Sequence, residues 1–161
     1  MERKMRRFKQ QLTEAESVEI LKASTSGVLA LCGNDGQPYG VPLSHVYHEG
    51  KLYFHSALMG HKVDLIAENS NASFTVIAQD EIHPERYTTY FRSVIAFGMV
   101  RIVEDEDEIF RILEILGRRC NPDDAEGLAK ELKSGLARCL AIEMTINRLT
   151  GKESIELVNK R

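Results

Sequence analysis

The chain has 161 residues, 43% hydrophobic and 28% charged, with a net charge of −3, which fits one soluble domain, 1–161, with its own core. The negative balance argues against nucleic acid as a main partner, and no apolar run approaches the ~20 residues of a membrane span. Cys32, Cys120 and Cys139 are scattered and odd in number, without disulfide or zinc spacing, so a cytoplasmic home is expected.

The first ten residues carry Arg3, Lys4, Arg6, Arg7 and Lys9 with no apolar segment behind them, which reads as a basic flexible arm rather than a signal peptide. Thr13-Glu14-Ala15-Glu16 is a capping box, and Val18, Leu21 and Lys22 continue a short helix to about Ala23. Val28–Cys32 is an apolar run of strand length, stopped by Gly33-Asn34-Asp35-Gly36, whose Asp-Gly pair signals a hairpin. The next strand is expected from about Pro38 to Tyr47, turning at Glu49-Gly50 into Leu52–His55. A two-residue loop there sets Ser44 opposite His55, with Pro42 on the same face and His45 on the other.

From Gly60 the pattern is helical, with Val63, Ile66 and Ala67 on one side and Asn69-Ser70-Asn71 at its end. Phe74–Ala78 reads as a buried strand and 79–88, polar and containing Pro84, as a loop. Tyr90–Val103 is a long strand in which Gly98 marks a bulge or a close backbone approach. Asp105, with Glu108, starts a helix striped by Ile109, Ile112, Leu113 and Leu116, and Asn121-Pro122 opens another to about Lys133. Residues 138–147 form the last strand, followed by a polar turn at Thr150-Gly151-Lys152 and a short tail. Consecutive hairpins mean antiparallel pairing, so the expectation is a mainly β fold with peripheral helices, five or six strands closing toward a barrel. No glycine-rich loop joins a strand to a helix, which excludes dinucleotide-binding and P-loop folds.

The richest stretch for chemistry is His55-Ser56-Ala57-Leu58-Met59-Gly60-His61-Lys62. Free amides at a helix start favour an anion, and His61, Lys62 and Ser56 add charge and a hydroxyl, which suits a phosphate; a polar helix start with a solvated lysine is the plainer alternative. His45 and His48 face opposite sides of a strand, so no metal site is expected. Ser44 with His55 lacks an orienting acid and a strained elbow, which argues against a hydrolase. Tyr90-Phe91-Arg92-Ser93-Val94 is either cross-strand packing or a rim that reaches a ligand or a partner subunit.

In order, these pieces resemble the pyridoxamine 5′-phosphate oxidase-like FMN-binding split-barrel family, nearest its nitroimidazole-resistance (Nim-like) branch. The matching stretches are Arg6-Arg7, Gly36-Gln37-Pro38-Tyr39 with Val41-Pro42-Leu43, Gly50–Ala57, Gly60-His61-Lys62 with Asp64-Leu65-Ile66, Tyr90–Val94 with Phe97-Gly98, and Thr150-Gly151-Lys152. The resemblance implies a six-stranded antiparallel split β-barrel, a homodimer, and FMN at the dimer interface. It implies that Val41, Pro42 and Leu43, with Ser44 beside them, line the flavin ring, and that His55, Ser56 and Ala57 follow the ring and ribityl chain. Gly60, His61 and Lys62 would hold the phosphate, while Ser93, Thr150, Gly151 and Lys152 approach from the other protomer or the barrel end. The basic and aromatic set that grips pyridoxamine phosphate is absent. The expected function is therefore a flavin-dependent oxidoreductase acting on a small nitro-aromatic-like compound. The alternatives are a flavin carrier or sensor without turnover, and a split barrel using F420 or haem.

Overall fold

The computed structural model describes residues 4–135 and 138–158. Its elements run β1 (Gln11–Leu12), α1 (Glu14–Ala23), β2 (Ser26–Cys32), β3 (Pro38–Ser44), β4 (Val46–His48), β5 (Lys51–Ala57), α2 (His61–Glu68) and β6 (Asn71–His83). They continue with β7 (Thr88–Ile102), α3 (Glu106–Cys120), α4 (Ala125–Gly135), β8 (Cys139–Glu153) and α5 (Ile155–Val158). The sheet order is β3-β2-β6-β7-β8-β5-β4, with β1 paired to the far end of β8. Every ladder is antiparallel. Six strands carry the barrel, and the very short β1 and β4 are additions to it. Among the described residues no ladder joins β3 to β4 or β5, so the barrel is split along that seam.

Alternation decides what lies inside. Leu29, Leu52, Phe54, Phe74, Val94, Ala96, Ile142 and Met144 point inward and are buried, and Leu21 of α1 joins the same core. α1 begins with the expected capping box: Thr13 accepts from the Glu16 amide while Glu16 reaches back to Thr13. A second cluster forms outside the barrel, where Ile112 and Leu116 of α3 pack on Tyr53 and Ala141.

The Glu49-Gly50 turn is as expected, with both residues at positive φ (47° and 82°) and Val46 opposite Tyr53. The long strand expected over 38–47 is instead two strands. Ser44 pairs with Ser26 rather than His55, and His55 pairs with Ala141. The break is at His45, whose ring is drawn into the core. Its Nε2 lies 3.0 Å from the Leu21 carbonyl, and its ring meets Phe74 edge-on. A carbonyl only accepts, so Nε2 carries the proton.

Two polar segments are strand where loop and turn are expected. Residues 79–83 pair with 88–92 beyond a bulge after Ile77. Ile82 and Tyr87 are exposed at this end of the hairpin, while Tyr90 is buried with its ring stacked on His83, so backbone pairing and one aromatic contact sustain it without regular apolar alternation. Thr150-Gly151-Lys152 lies inside β8, held between β7 and β1. Gly151 is buried where a Cβ would run into Ser17 Oγ and Leu12. Gly98 sits at a register shift between β7 and β8, against the Thr145 carbonyl, as its place in the sequence suggests.

Two helix details also differ. Asp105 caps α3 as expected, but α4 is capped by Asp124, which accepts from the Gly127 amide at 2.8 Å. Asn121 instead closes α3 through its amide to the Gly117 carbonyl. On α2 the buried pair is Leu65 and Ile66, and Ala67 is exposed.

Candidate functional site

α2 opens at Gly60, whose φ of 145° belongs to glycine and whose Cα faces open space. No side chain caps this helix. Val63 and Asp64 donate back to the Gly60 carbonyl. The amides of Gly60, His61 and Lys62 make no hydrogen bond among the described residues, so three donors converge at the positive end of the helix dipole. Lys62 is half-buried and His61 exposed.

Ser56, four residues earlier, is buried on the inward side of β5, and its Oγ has no hydrogen-bond partner. A buried hydroxyl of this kind ordinarily takes an ordered water or a ligand atom as its partner. His55 and Ala57, on the opposite side of the strand, are exposed.

β3 supplies a wall beside this loop. Tyr39, Val41 and Leu43 turn inward and pack on the core, leaving Pro42 and Ser44 exposed. The His61 ring meets Tyr39 edge-on, with centroids 4.8 Å apart and planes at 77°. This contact joins the expected ring wall to the expected phosphate end within one protomer. The sequence reading places Tyr39 in a matching stretch but gives it no role, although its alternation with Val41 and Leu43 signals an inward position.

The remaining expected residues lie elsewhere in the protomer. Ser93 and Lys152 face each other across β7 and β8, and Thr150 pairs with Ile95. Thr150 belongs to the row Pro42, Val28, Thr75, Ile95, Thr150, four strands along the sheet from Pro42. Along β8 it is ten positions, about 33 Å of strand, from Leu140, the partner of Ser56. One protomer therefore does not bring Ser93, Thr150 and Lys152 to Lys62. Pro42, Ser93, Thr150 and Lys152 do share the outer sheet face, with Val28 and Ile77 exposed on it. Lys152 Nζ lies 5.3 Å from the centre of Phe91, and Arg148 lies 3.8 Å over Phe97, a cation that sequence reasoning also misses.

A cleft of about 890 Å³ lies between α1 and the Arg92–Glu153 pair, and none of the expected site residues lines it. The unbonded donors at Ser56 and Gly60–Lys62 lie outside that cleft.

Residues 13–153 match the family model described as pyridoxamine 5′-phosphate oxidase. The chain belongs to that family. The matched span begins at the capping Thr13, ends at the buried Glu153, and holds every expected site residue. No curated protein matches the chain in sequence. Among solved structures, a Bacteroides thetaiotaomicron protein for which 5-nitroimidazole antibiotic resistance has been proposed is 20% identical with a TM-score of 0.75, over 89% of this chain and 86% of that one. A FAD-binding protein of Mesorhizobium loti is 26% identical with a TM-score of 0.61, over 90% and 97%. A FAD- and haem-binding protein of Mycobacterium smegmatis is 22% identical with a TM-score of 0.74, over 91% and 74%. Flavin split barrels thus share the fold of this pyridoxamine 5′-phosphate oxidase family member. Among the described residues no helix is long and apolar enough to cross a membrane.

Proposed function

We propose that this protein is an FMN-dependent oxidoreductase, working as a homodimer with the flavin at the interface and a small nitro-aromatic-like compound as acceptor. The observation that carries the reading is the set of three unbonded amides at Gly60–Lys62, beside the Lys62 side chain and four residues after the buried, unpartnered Ser56 hydroxyl. A phosphate monoester would suit these groups, its oxygens accepting from the amides and from Lys62. The separation along β8 between Thr150 and the partner of Ser56 supports a dimer, if Ser93, Thr150 and Lys152 belong to the site as the family resemblance implies. Their uncovered outer face supplies them to the Lys62 site of a second copy.

The bound flavin would supply the electron transfer; the protein supplies position and electrostatics. Lys62 and the α2 dipole neutralise the phosphate dianion. β3 presents its edge to the ring, and a second copy laid over Val28 and Ile77 excludes water from it. FAD is the second reading, favoured by the two FAD-binding neighbours.

An absorbance spectrum of the purified protein, with mass identification of what denaturation releases, tests the cofactor. Flavin absorbance and FMN are expected; release of FAD selects the second reading, and a colourless protein that takes up neither overturns both. Bleaching by NAD(P)H and re-oxidation by a nitro compound then separate an oxidoreductase from a carrier.

A further inference from the structure

The C-terminal half of α2 is fastened to the β2–β3 hairpin by several contacts. Glu68 accepts from the Asn34 amide at 3.0 Å, Asn69 at the helix end donates to the Cys32 carbonyl at 3.0 Å, and Leu65 lies against Gly33. At its other end the helix meets the same hairpin through one aromatic contact, His61 against Tyr39. Tyr39 is itself fixed, opposite Leu31 in the ladder and packed on the core. His61 is exposed and has no hydrogen bond among the described residues. An edge-on contact with a ring face is directional, and it narrows the rotamers open to a side chain that would otherwise turn freely in solvent.

We propose that Tyr39 is a positioning residue for the phosphate end of the flavin site: it holds His61 and the first turn of α2 at a set distance from the β3 wall, and so makes the site select a phosphorylated flavin over riboflavin. This rests on the flavin reading above. Tyr39 acts through the contact of its ring with His61 rather than through its hydroxyl. Its effect reaches only the part of the ligand that FMN has and riboflavin lacks.

The test is a set of dissociation constants for FMN and for riboflavin, measured by flavin fluorescence quenching on the apo form of the full chain. The proteins are the unmodified chain, Tyr39→Leu, Tyr39→Phe, His61→Ala and Tyr39→Leu/His61→Ala. Tyr39→Leu is expected to weaken FMN about 3- to 10-fold, the range of one aromatic pair, and to leave riboflavin within about twofold. Tyr39→Phe keeps the unmodified FMN constant, and the double variant is no weaker than His61→Ala alone. Equal loss for both ligands in Tyr39→Leu means a general packing role and overturns the proposal, as does no loss for either. If Tyr39→Leu does not fold, a Tyr39→Phe variant with weakened FMN binding, or a His61→Ala variant with the FMN-to-riboflavin ratio unchanged, overturns it equally. An unmodified chain that binds neither ligand is a separate result, which removes the flavin reading and this inference with it.

Discussion

Arg101 and Glu143 lie directly opposite each other across the β7–β8 ladder, with the arginine Nε 3.0 Å from Glu143 Oε1. Lys51, next to Glu143 on the other side, reaches Oε2 at 2.8 Å. Burial pushes the Glu143 carboxyl up, but the bonds from Lys51 and Arg101 outweigh it and hold the group below the usual glutamate range. A depressed carboxylate contributes stability that is complete above its unfolded value of ~4.3 and is lost as pH falls toward its folded value. The urea midpoint is expected to drop below about pH 4.3, and in Lys51→Met/Arg101→Met the Glu143 contribution is expected to reverse, because burial alone raises the carboxyl and the variant regains stability as pH falls. At pH 7 the same double variant should lose ~3–5 kcal/mol, because it leaves a buried charge alone. Chemical denaturation over pH 3–7 reads both.

His45 gives a second pH dependence in a different window. Desolvation lowers its pKa; the Leu21 carbonyl opposes this and Arg119 adds to it. A histidine kept neutral in the fold gives the unfolded chain the larger proton uptake, so stability is present above the unfolded value of ~6.5 and falls as pH drops through it. The slope approaches ~1.4 kcal/mol per pH unit where only the unfolded state is protonated. His45→Leu is expected to remove this slope between pH 7 and 5.5 while leaving the Glu143 transition in place. An unchanged slope in that variant would clear His45.

What the sequence shows about the fold is what local chemistry decides. Thr13 and Glu16 can satisfy each other without help, and Glu49-Gly50 needs only positive φ, so both are readable from a few residues. The break at His45 is not, because it depends on Leu21 and Phe74, which come from other elements. Gln79–His83 and Thr150–Lys152 hide their strand character because neighbouring backbones, not apolar side chains, keep them extended. At the proposed site, the helix start at Gly60–Lys62 is legible from residue type and spacing. Ser56's inward turn and the Tyr39–His61 contact depend on strand facing and on the docking of α2. Asp124 and Asn121 are equally good caps in isolation, and only the helix start separates them.

Gly98 is placed by packing rather than by φ. A Cβ there would enter the Thr145 backbone, which cannot swing aside as a side chain can. Gly98→Ala is expected to cost ~2–3 kcal/mol or more by forcing the β7–β8 bulge apart. Gly50→Ala, with open space around it but φ at 82°, should cost ~1 kcal/mol from backbone strain alone. Thermal and urea unfolding of the two variants side by side test this order; a milder effect at Gly98 would show that the ladder yields there.

The outer sheet face gives the dimer a direct test. Val28 and Ile77, 41% and 69% exposed in one protomer, lie on the face that a second copy is proposed to cover. Val28→Asp/Ile77→Glu should leave the fold intact, since both side chains already meet water, while charges placed in a buried contact oppose association. Light scattering after size exclusion is expected to give a dimer mass for the unmodified chain and a monomer for the variant. The monomer should also bind FMN less tightly, because Ser93 and Lys152 no longer reach the Lys62 site. A dimer that survives both charges would move the interface to another face.

Lys62 is the sharpest residue of the site. It stands half-buried at the second position of α2, beside three amides that have no partner. Its charge adds to the helix dipole there, and a phosphate dianion gains from both. Lys62→Ala is expected to weaken FMN by ~1–3 kcal/mol, about 5- to 150-fold in dissociation constant. Riboflavin should be nearly unaffected, and raised salt should narrow the difference between the two proteins, since part of the loss is charge attraction screened by ions. Titration of apo-protein with FMN at low and high ionic strength measures all three. Unchanged FMN binding in Lys62→Ala would take the phosphate away from this helix.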